Sequence, residues 1–252
     1  MESIWATVPF GRDVAVLARD ENGVAALLKP AGVLSHPNER KDEARSLVVA
    51  RYDPQEECFG WPAGEPTATA RLWLLNRLDS ATSGVILVAA DGELARELRR
   101  QFRDKRVTKI YQALVFGRPP QPTDTWRDVL AVTKRAGQIR TSAGMGNVRA
   151  ETRVKTMRTR LGAGPLSLLQ LEPLTGRSHQ LRVQCAKRRL PIVGDQTYGD
   201  FGGNREFAKR TGVKRMFLHS LETRCRYEWH GREFTFKAHA PLPPEFDAAL
   251  RS

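Results

Sequence analysis

The sequence has little cysteine, little histidine and no long hydrophobic run, and each shortage closes off a class of protein. Its 252 residues include three cysteines, Cys58, Cys185 and Cys225, odd in number, scattered and without C-x-x-C spacing. Neither a disulfide framework nor a zinc site is supported. The five histidines are dispersed, so each is by default a hydrogen-bonded or surface histidine, and no metal is expected. The longest apolar runs, Val85–Ala90 and Val24–Leu28, fall far short of the roughly 18 residues that span a bilayer. The first residues lack the basic-then-apolar order of a signal peptide. A soluble, cytoplasmic protein with no membrane partner is expected. No Gly-rich nucleotide loop with a following lysine is present.

Acidic residues are also scarce. The chain carries 41 Lys plus Arg against 28 Asp plus Glu, a net charge of +13. The imbalance is uneven: residues 1–70 hold 7 basic and 11 acidic side chains, net −4, leaving 34 and 17, net +17, for residues 71–252. Arginine outnumbers lysine, and a planar guanidinium fork matches phosphates and base edges better than an ammonium does. A polyanion, most naturally nucleic acid, fits this field. A solubilising surface on an ordinary enzyme fits the total charge as well.

With 40% hydrophobic residues, the chain can bury a sizeable core. Strand signals recur at Val14–Ala18, Val24–Leu28, Gly84–Ala89, Val107–Phe116, Leu166–Glu172, Phe217–Tyr227 and Glu233–Ala238. Helical spacing is clearest over Asp91–Lys105, where Leu94, Leu98 and Phe102 repeat, Asp91 can cap, and Arg96, Arg99, Arg100 and Arg103 lie mostly on the other side. A second helix is predicted from a Ser178 cap through Arg189. Loops are predicted at Asp53–Pro66, Gly117–Thr125, Ala136–Gly146 and Asp200–Lys214, the last as a mobile phosphate-contacting loop or a solvated one. Strands outnumber helices without alternating with them, which predicts an α+β fold on a largely antiparallel sheet.

Two stretches stand apart. In Asn76-Arg77-Leu78-Asp79, polar residues lead into a core strand, where burial is costly unless they are paired. Asp79 needs a partner or a job, although a turn bonding local amides accounts for it too. Thr175-Gly176-Arg177-Ser178-His179-Gln180-Leu181-Arg182 puts cations at a helix start, which is either an anion site or a capped helix with a basic face. Between them, Lys109 and Tyr111 share a strand face, where Tyr111 either lines a pocket or packs as an amphipathic core residue.

Taken in order, these motifs resemble the RluA-type RNA pseudouridine synthases, nearly end to end. Leu28-Lys29-Pro30-Ala31-Gly32 through His36-Pro37 resembles the family's opening segment. Arg77-Leu78-Asp79 with Thr82-Ser83-Gly84 resembles the catalytic motif, and Lys109-Ile110-Tyr111 the second. Thr175–Arg182, then Pro191–Asp195 and Tyr198-Gly199, resembles the third, and Phe217–His219 and Ala240–Pro243 also fit. The resemblance implies a mixed, mostly antiparallel central sheet with flanking helices and a central cleft. It implies a single catalytic domain over residues 1–252, which two lobes can share, without the family's N-terminal S4 module, since about 13 residues precede the first strand signal.

The implied activity is isomerisation of uridine to pseudouridine in ribosomal or transfer RNA by a monomer. The N1–C1′ bond breaks, the uracil rotates and C5 joins C1′; nothing is oxidised or added, so no cofactor is needed. The resemblance makes Asp79 the catalytic carboxylate, Tyr111 the active-site tyrosine and Arg182 the basic partner of the carboxylate. Arg77 falls where the family has an arginine that enters the RNA stack, and Lys29, His36, Lys109, Arg177 and His179 are further expected RNA contacts. One departure stands out: Asn76 replaces the family's usual His before Arg77. It is the one support for a rival function, a catalytically impaired RNA-binding or ribosome-assembly protein that keeps the fold. An unrelated hydrolase lacks any local signature.

Overall fold

The computed structural model describes residues 2–63, 68–135, 138–143, 148–161 and 164–251, with side chains described outside 2–3 and 132–147. In chain order the elements are α1 (Glu2–Thr7), β1 (Ala15–Arg19), β2 (Val24–Lys29), β3 (Arg51–Asp53), β4 (Cys58–Pro62), β5 (Thr69–Leu74), β6 (Ser83–Ala89), α2 (Gly92–Arg103) and β7 (Thr108–Phe116). There follow β8 (Thr123–Arg135), β9 (Gln138–Ala143), β10 (Val148–Arg160), β11 (Leu166–Pro173), α3 (Gln180–Lys187), α4 (Phe201–Thr211), β12 (Leu218–Trp229), β13 (Arg232–His239) and α5 (Pro244–Arg251). The protein is thus α+β, and the strand pairings of the ladders described below are antiparallel. The chain forms two compact units, residues 1–108 with 222–240, and residues 109–221 with 241–252.

The first unit is built on the ladder β1-β2-β6-β5-β4-β3. All seven residues of β6 are buried, which explains its continuous Val, Ile and Leu composition: both faces are covered, so no polar alternation survives. Against it packs α2. Asp91 caps this helix as expected, its carboxylate accepting from the amides of Glu93 (2.9 Å) and Leu94 (2.8 Å), and Leu94, Ala95 and Leu98 are fully buried in the core. The β12–β13 hairpin adds Cys225, Tyr227, Phe236 and Ala238 to the same core. His230 (φ 50°) and Gly231 (φ 71°) close the hairpin, both with the positive φ of a type I′ turn.

The second unit is the ladder β7-β11-β10-β8-β9. Its core joins Leu114, Leu166 and Leu168 to Phe207 of α4, Phe217, and Phe246 of α5. Expectations about loops and caps fail at several places in this unit. Asp200–Lys214 is largely α4, not a loop, with the Asp200 carboxylate accepting from Gly203 N–H at 2.9 Å. Ser178 does not cap α3, which starts at Gln180 after His179, a residue in left-handed conformation (φ 54°). The predicted loop Ala136–Gly146 falls partly outside the described residues, and its remainder contains β9. Elsewhere, β4 occupies part of the predicted loop Asp53–Pro66.

One glycine here is obligatory. Gly194 has φ +78°, and a Cβ there would lie 1.9 Å from the Arg215 carbonyl oxygen. A side chain meets both the left-handed penalty of ~1–2 kcal/mol and a backbone that must move. Gly194→Ala is therefore expected to cost at least ~2 kcal/mol, read as a lowered urea midpoint at unchanged slope.

Candidate active site

Asp79 stands on the segment between β5 and β6, which the turn after β2 holds by backbone contacts. Ser35 Oγ donates to Leu78 O (2.8 Å) and accepts from Leu78 N–H (3.0 Å). Ser80 O accepts from Gly32 N–H (2.8 Å) and from the Lys29 ammonium (3.0 Å), while Asp79 O accepts from Thr82 N–H (3.0 Å). Three consecutive residues are thereby fixed without using the Asp79 carboxylate. Leu78 is buried, Arg77 exposed and Asp79 half-buried, the alternation that turns both polar side chains away from the core.

Lys29 departs from expectation. It is 0% exposed, and its ammonium also donates to Pro30 O (3.0 Å) and Val33 O (2.6 Å). A charge enclosed by carbonyls does not present itself to RNA; Lys29 serves instead to tie the β2 turn to the Asp79 segment. His36 is half-buried and stacks on Tyr52, with ring centroids 4.7 Å apart and planes within 10°. The Tyr52 hydroxyl is buried with no hydrogen-bond partner among the described residues. Burial, reinforced by Glu57 and opposed by Arg77, pushes its pKa up to about 12. Asn76 plays a structural part, since its side-chain oxygen accepts from Leu87 N–H of β6 at 2.8 Å. A neutral histidine nitrogen can accept in the same way, so the departure at this position leaves that bond intact.

Tyr111, Lys109, Arg177, His179 and Arg182 all belong to the second unit. Tyr111 is half-buried on β7, opposite Leu171 of β11. Lys109 lies beside the turn before α3, its ammonium 3.6 Å from where a Gly176 Cβ would stand, and burial pushes its pKa below the ordinary lysine value. Gln180 shapes that turn, its side-chain oxygen accepting from the Thr175 hydroxyl (2.7 Å) and Arg177 N–H (3.1 Å). Arg177 is exposed, its Nε donating to Arg149 O at 3.2 Å.

Arg182 is not a solvated phosphate-binding cation. It is 7% exposed and forks onto Asp195, with Nε to Oδ2 and Nη2 to Oδ1 both at 2.7 Å. Its guanidinium also lies 5.0 Å from the Tyr198 ring centroid. Tyr198 in turn bonds His179 Nδ1 through its hydroxyl at 2.9 Å. Burial pushes the Asp195 carboxyl up, but the bonds and charge of Arg182 and the amides of Tyr198 and Thr197 outweigh it and hold the group below the usual carboxylate range. Asp195 and Tyr198 are functional candidates for which the residues alone gave no role, because 13 and 16 positions separate them from Arg182 and no periodicity links them.

Among the described residues no group of His, Cys, Asp and Glu is arranged to hold a metal ion, and no helix is long and apolar enough to cross a membrane. The sequence model of the family described as RNA pseudouridylate synthase matches residues 23–187, a span containing Asp79, Tyr111 and Arg182. The chain is 31% identical to the tRNA pseudouridine synthase C of Yersinia pestis, over 88% of this chain and 85% of that one. It is also 31% identical to the dual-specificity RNA pseudouridine synthase RluA of Escherichia coli, over 90% and 93%. Among solved structures it is similar to human RNA pseudouridylate synthase domain containing 1, with a TM-score of 0.67, 25% identity and coverage of 94% and 87%.

Proposed function

The chain belongs to the RNA pseudouridylate synthase family and is an isomerase acting on RNA; from that premise we propose that its reaction centre comprises Asp79, Tyr111 and Arg182, acting on uridines of transfer or ribosomal RNA. The observation that carries this is the ordered set of motifs inside the matched span, each polar where a core position would be apolar. Asp79 attacks the nucleoside or takes a proton from its sugar, which requires the carboxylate to be ionised. A guanidinium within ~4–6 Å favours that state, and Arg182 is the proposed cation, held in shape by Asp195. Tyr111 stacks on the uracil and assists loss of the C5 proton. The same reading has the protein act as a cytoplasmic monomer without a cofactor.

The test is incubation of the purified protein with unmodified transfer RNA and, separately, ribosomal RNA, followed by a pseudouridine-specific chemical label. Label on either RNA is the expected result; label on neither overturns the substrate assignment.

The target base must leave its stack for the chemistry to reach around the ring, at a cost of a few kcal/mol. Arg77, exposed beside Asp79, is proposed to fill the vacated space. Arg77→Ala is expected to slow single-turnover conversion of folded transfer RNA by ~10-fold or more, the scale of that unstacking cost, and an unstructured oligonucleotide much less. Equal losses on both substrates count against base flipping by Arg77.

A further inference from the structure

The second unit carries a small pocket of about 350 Å³, lined by α4, by the residues that follow it and by the turn at Gly194. Ligand sites run to ~300–1,000 Å³, so this one has room for a single flat ring system. Phe207, Ala208 and Val213 supply its apolar surface, and Arg205 and Lys214 its charge. None of the reaction-centre candidates lines it, but Gly194 and Gln196 do, the residues on either side of Asp195.

Phe201 also lines this pocket. It is 54% exposed, the one exposed Phe, Tyr or Trp among the described residues, and it takes no part in the core that holds Phe207, Phe217 and Phe246. The cations beside it are exposed too, and neither Arg205 nor Lys214 makes an ion pair among the described residues. No lining residue is acidic. The carboxylates closest in the chain are turned elsewhere: Asp200 holds Gly203 N–H at 2.9 Å, Asp195 is forked by Arg182, and Glu206 falls on the side of α4 opposite the one that lines the pocket. Gln196 is exposed, and its amide reaches only Gly194 O, at 3.5 Å, the outer limit of a hydrogen bond. A lone exposed Phe is ordinary. One placed over apolar surface, with two unpaired cations, an uncommitted amide and no carboxylate, has the parts that hold a single-stranded nucleotide.

We propose that this pocket receives an unpaired nucleotide of the substrate RNA other than the target uridine. Its base stacks on Phe201, Gln196 bonds the base edge, and Arg205 and Lys214 pair with adjacent phosphates. Charge complementarity selects the occupant, since the charged groups of the wall are all cations and a guanidinium fork matches a phosphate bidentately. Asp200–Lys214 then keeps a phosphate-contacting part, carried by a helix and the residues after it instead of a loop. The inference rests on RNA being the substrate and not on the chemistry assigned to Asp79.

Filter binding of unfractionated transfer RNA across a salt series tests both parts, because pairing with phosphates releases counter-ions and stacking does not. Phe201→Ala is expected to weaken binding at least ~5-fold at each salt concentration, the scale of one base stacked on an aromatic ring, with the slope of log affinity against log salt unchanged. Phe201→Leu, apolar but without a ring face, falls with it, and Phe201→Trp binds at least as well as wild type. Arg205→Gln with Lys214→Gln is expected to reduce the slope by about 1.4–1.8, since each phosphate left without its cation accounts for about 0.7–0.9. As a control, Lys209→Gln with Arg210→Gln makes the same charge change on cations of α4 that do not line the pocket and is expected to leave the slope close to wild type. Wild-type binding by Phe201→Ala or Phe201→Leu overturns the proposal and leaves the pocket to a partner other than RNA. An equal loss of slope in the control overturns it too, by reducing the two cations to part of a general field. Asp79→Asn, assayed in parallel, is expected to bind with the wild-type slope. Its activity reports on the reaction centre alone, and wild-type protein that binds no RNA would sink the substrate reading itself, so each failure is visible separately.

Discussion

Asp79→Asn is expected to abolish pseudouridine formation while leaving the protein folded and bound to RNA. The change removes one negative charge and almost no volume. Bonds through Leu78, Ser80 and the Asp79 carbonyl, to Ser35, Gly32, Lys29 and Thr82, hold the segment with carboxylate or amide alike at position 79. An amide neither attacks carbon nor accepts a proton at neutral pH, so single-turnover conversion should fall by at least ~10²–10⁴-fold, the usual worth of a positioned acid–base group. Removing an anion from a site that receives a polyanion cannot weaken binding electrostatically, so affinity should hold or rise slightly. The measurement pairs the pseudouridine-specific label under single-turnover conditions with filter binding on the same preparation. Near-normal conversion by Asp79→Asn would remove it from the reaction centre; loss of conversion together with loss of binding would assign it to structure.

The elements legible in the sequence were those whose burial produces a hydrophobic period. Buried on both faces, β2 and β6 read as continuous apolar runs, and the Asp91 cap with Leu94 and Leu98 marked α2 within two residues. What escaped notice lacks that contrast. Strand β10 buries Ala150, Thr152 and Val154, a small, a polar and an apolar residue in turn, so alternate burial left no alternate hydrophobicity. Helix α4 buries only Asn204 and Phe207 and carries two glycines in its first turn, which argue for a loop until Asp200 is seen to cap it. Asn204 is itself structural: its amide donates to Asp195 O (3.0 Å) and accepts from Gly194 N–H (2.7 Å), a long-range pair that no local pattern encodes. The candidate site divides the same way. Asp79 was visible as a polar residue at a costly position and Arg182 as one of the cations at a helix start, whereas the enclosure of Lys29 by three carbonyls and the choice of Asp195 as the partner of Arg182 depend on loops that close through space.

That partnership carries the second large effect. Arg182 and Asp195 are 7% and 1% exposed, and the fork between them is bidentate at 2.7 Å on both arms. Asp195→Asn keeps the shape and an oxygen able to accept from Thr197 and Tyr198 N–H, as Oδ1 does now at 2.8 and 3.0 Å, so it isolates the charge. Breaking a buried ion pair from one side costs up to about 3–5 kcal/mol, less whatever the proposed interaction of Arg182 with Asp79 retains, and the variant should show a correspondingly lower urea midpoint near pH 7. The pH dependence has a definite sign. The Asp195 carboxyl is held below its ordinary value when folded, so the unfolded chain binds the proton more readily. The stabilisation is therefore complete above the unfolded value of about 4 and is lost as pH falls through the depressed folded value. Asp128 is held low too, against burial, by Lys187, Gln184 and Arg188, so wild-type acid unfolding alone does not single out Asp195. The difference between wild type and Asp195→Asn does, because Asp128 contributes equally to both. That difference should be constant from about pH 6 to 8 and shrink below about pH 4, as the wild-type carboxylate becomes neutral like the amide. A variant as stable as wild type at pH 7, or a gap that persists undiminished into acid, would show that the Asp195 charge does not sustain the buried Arg182.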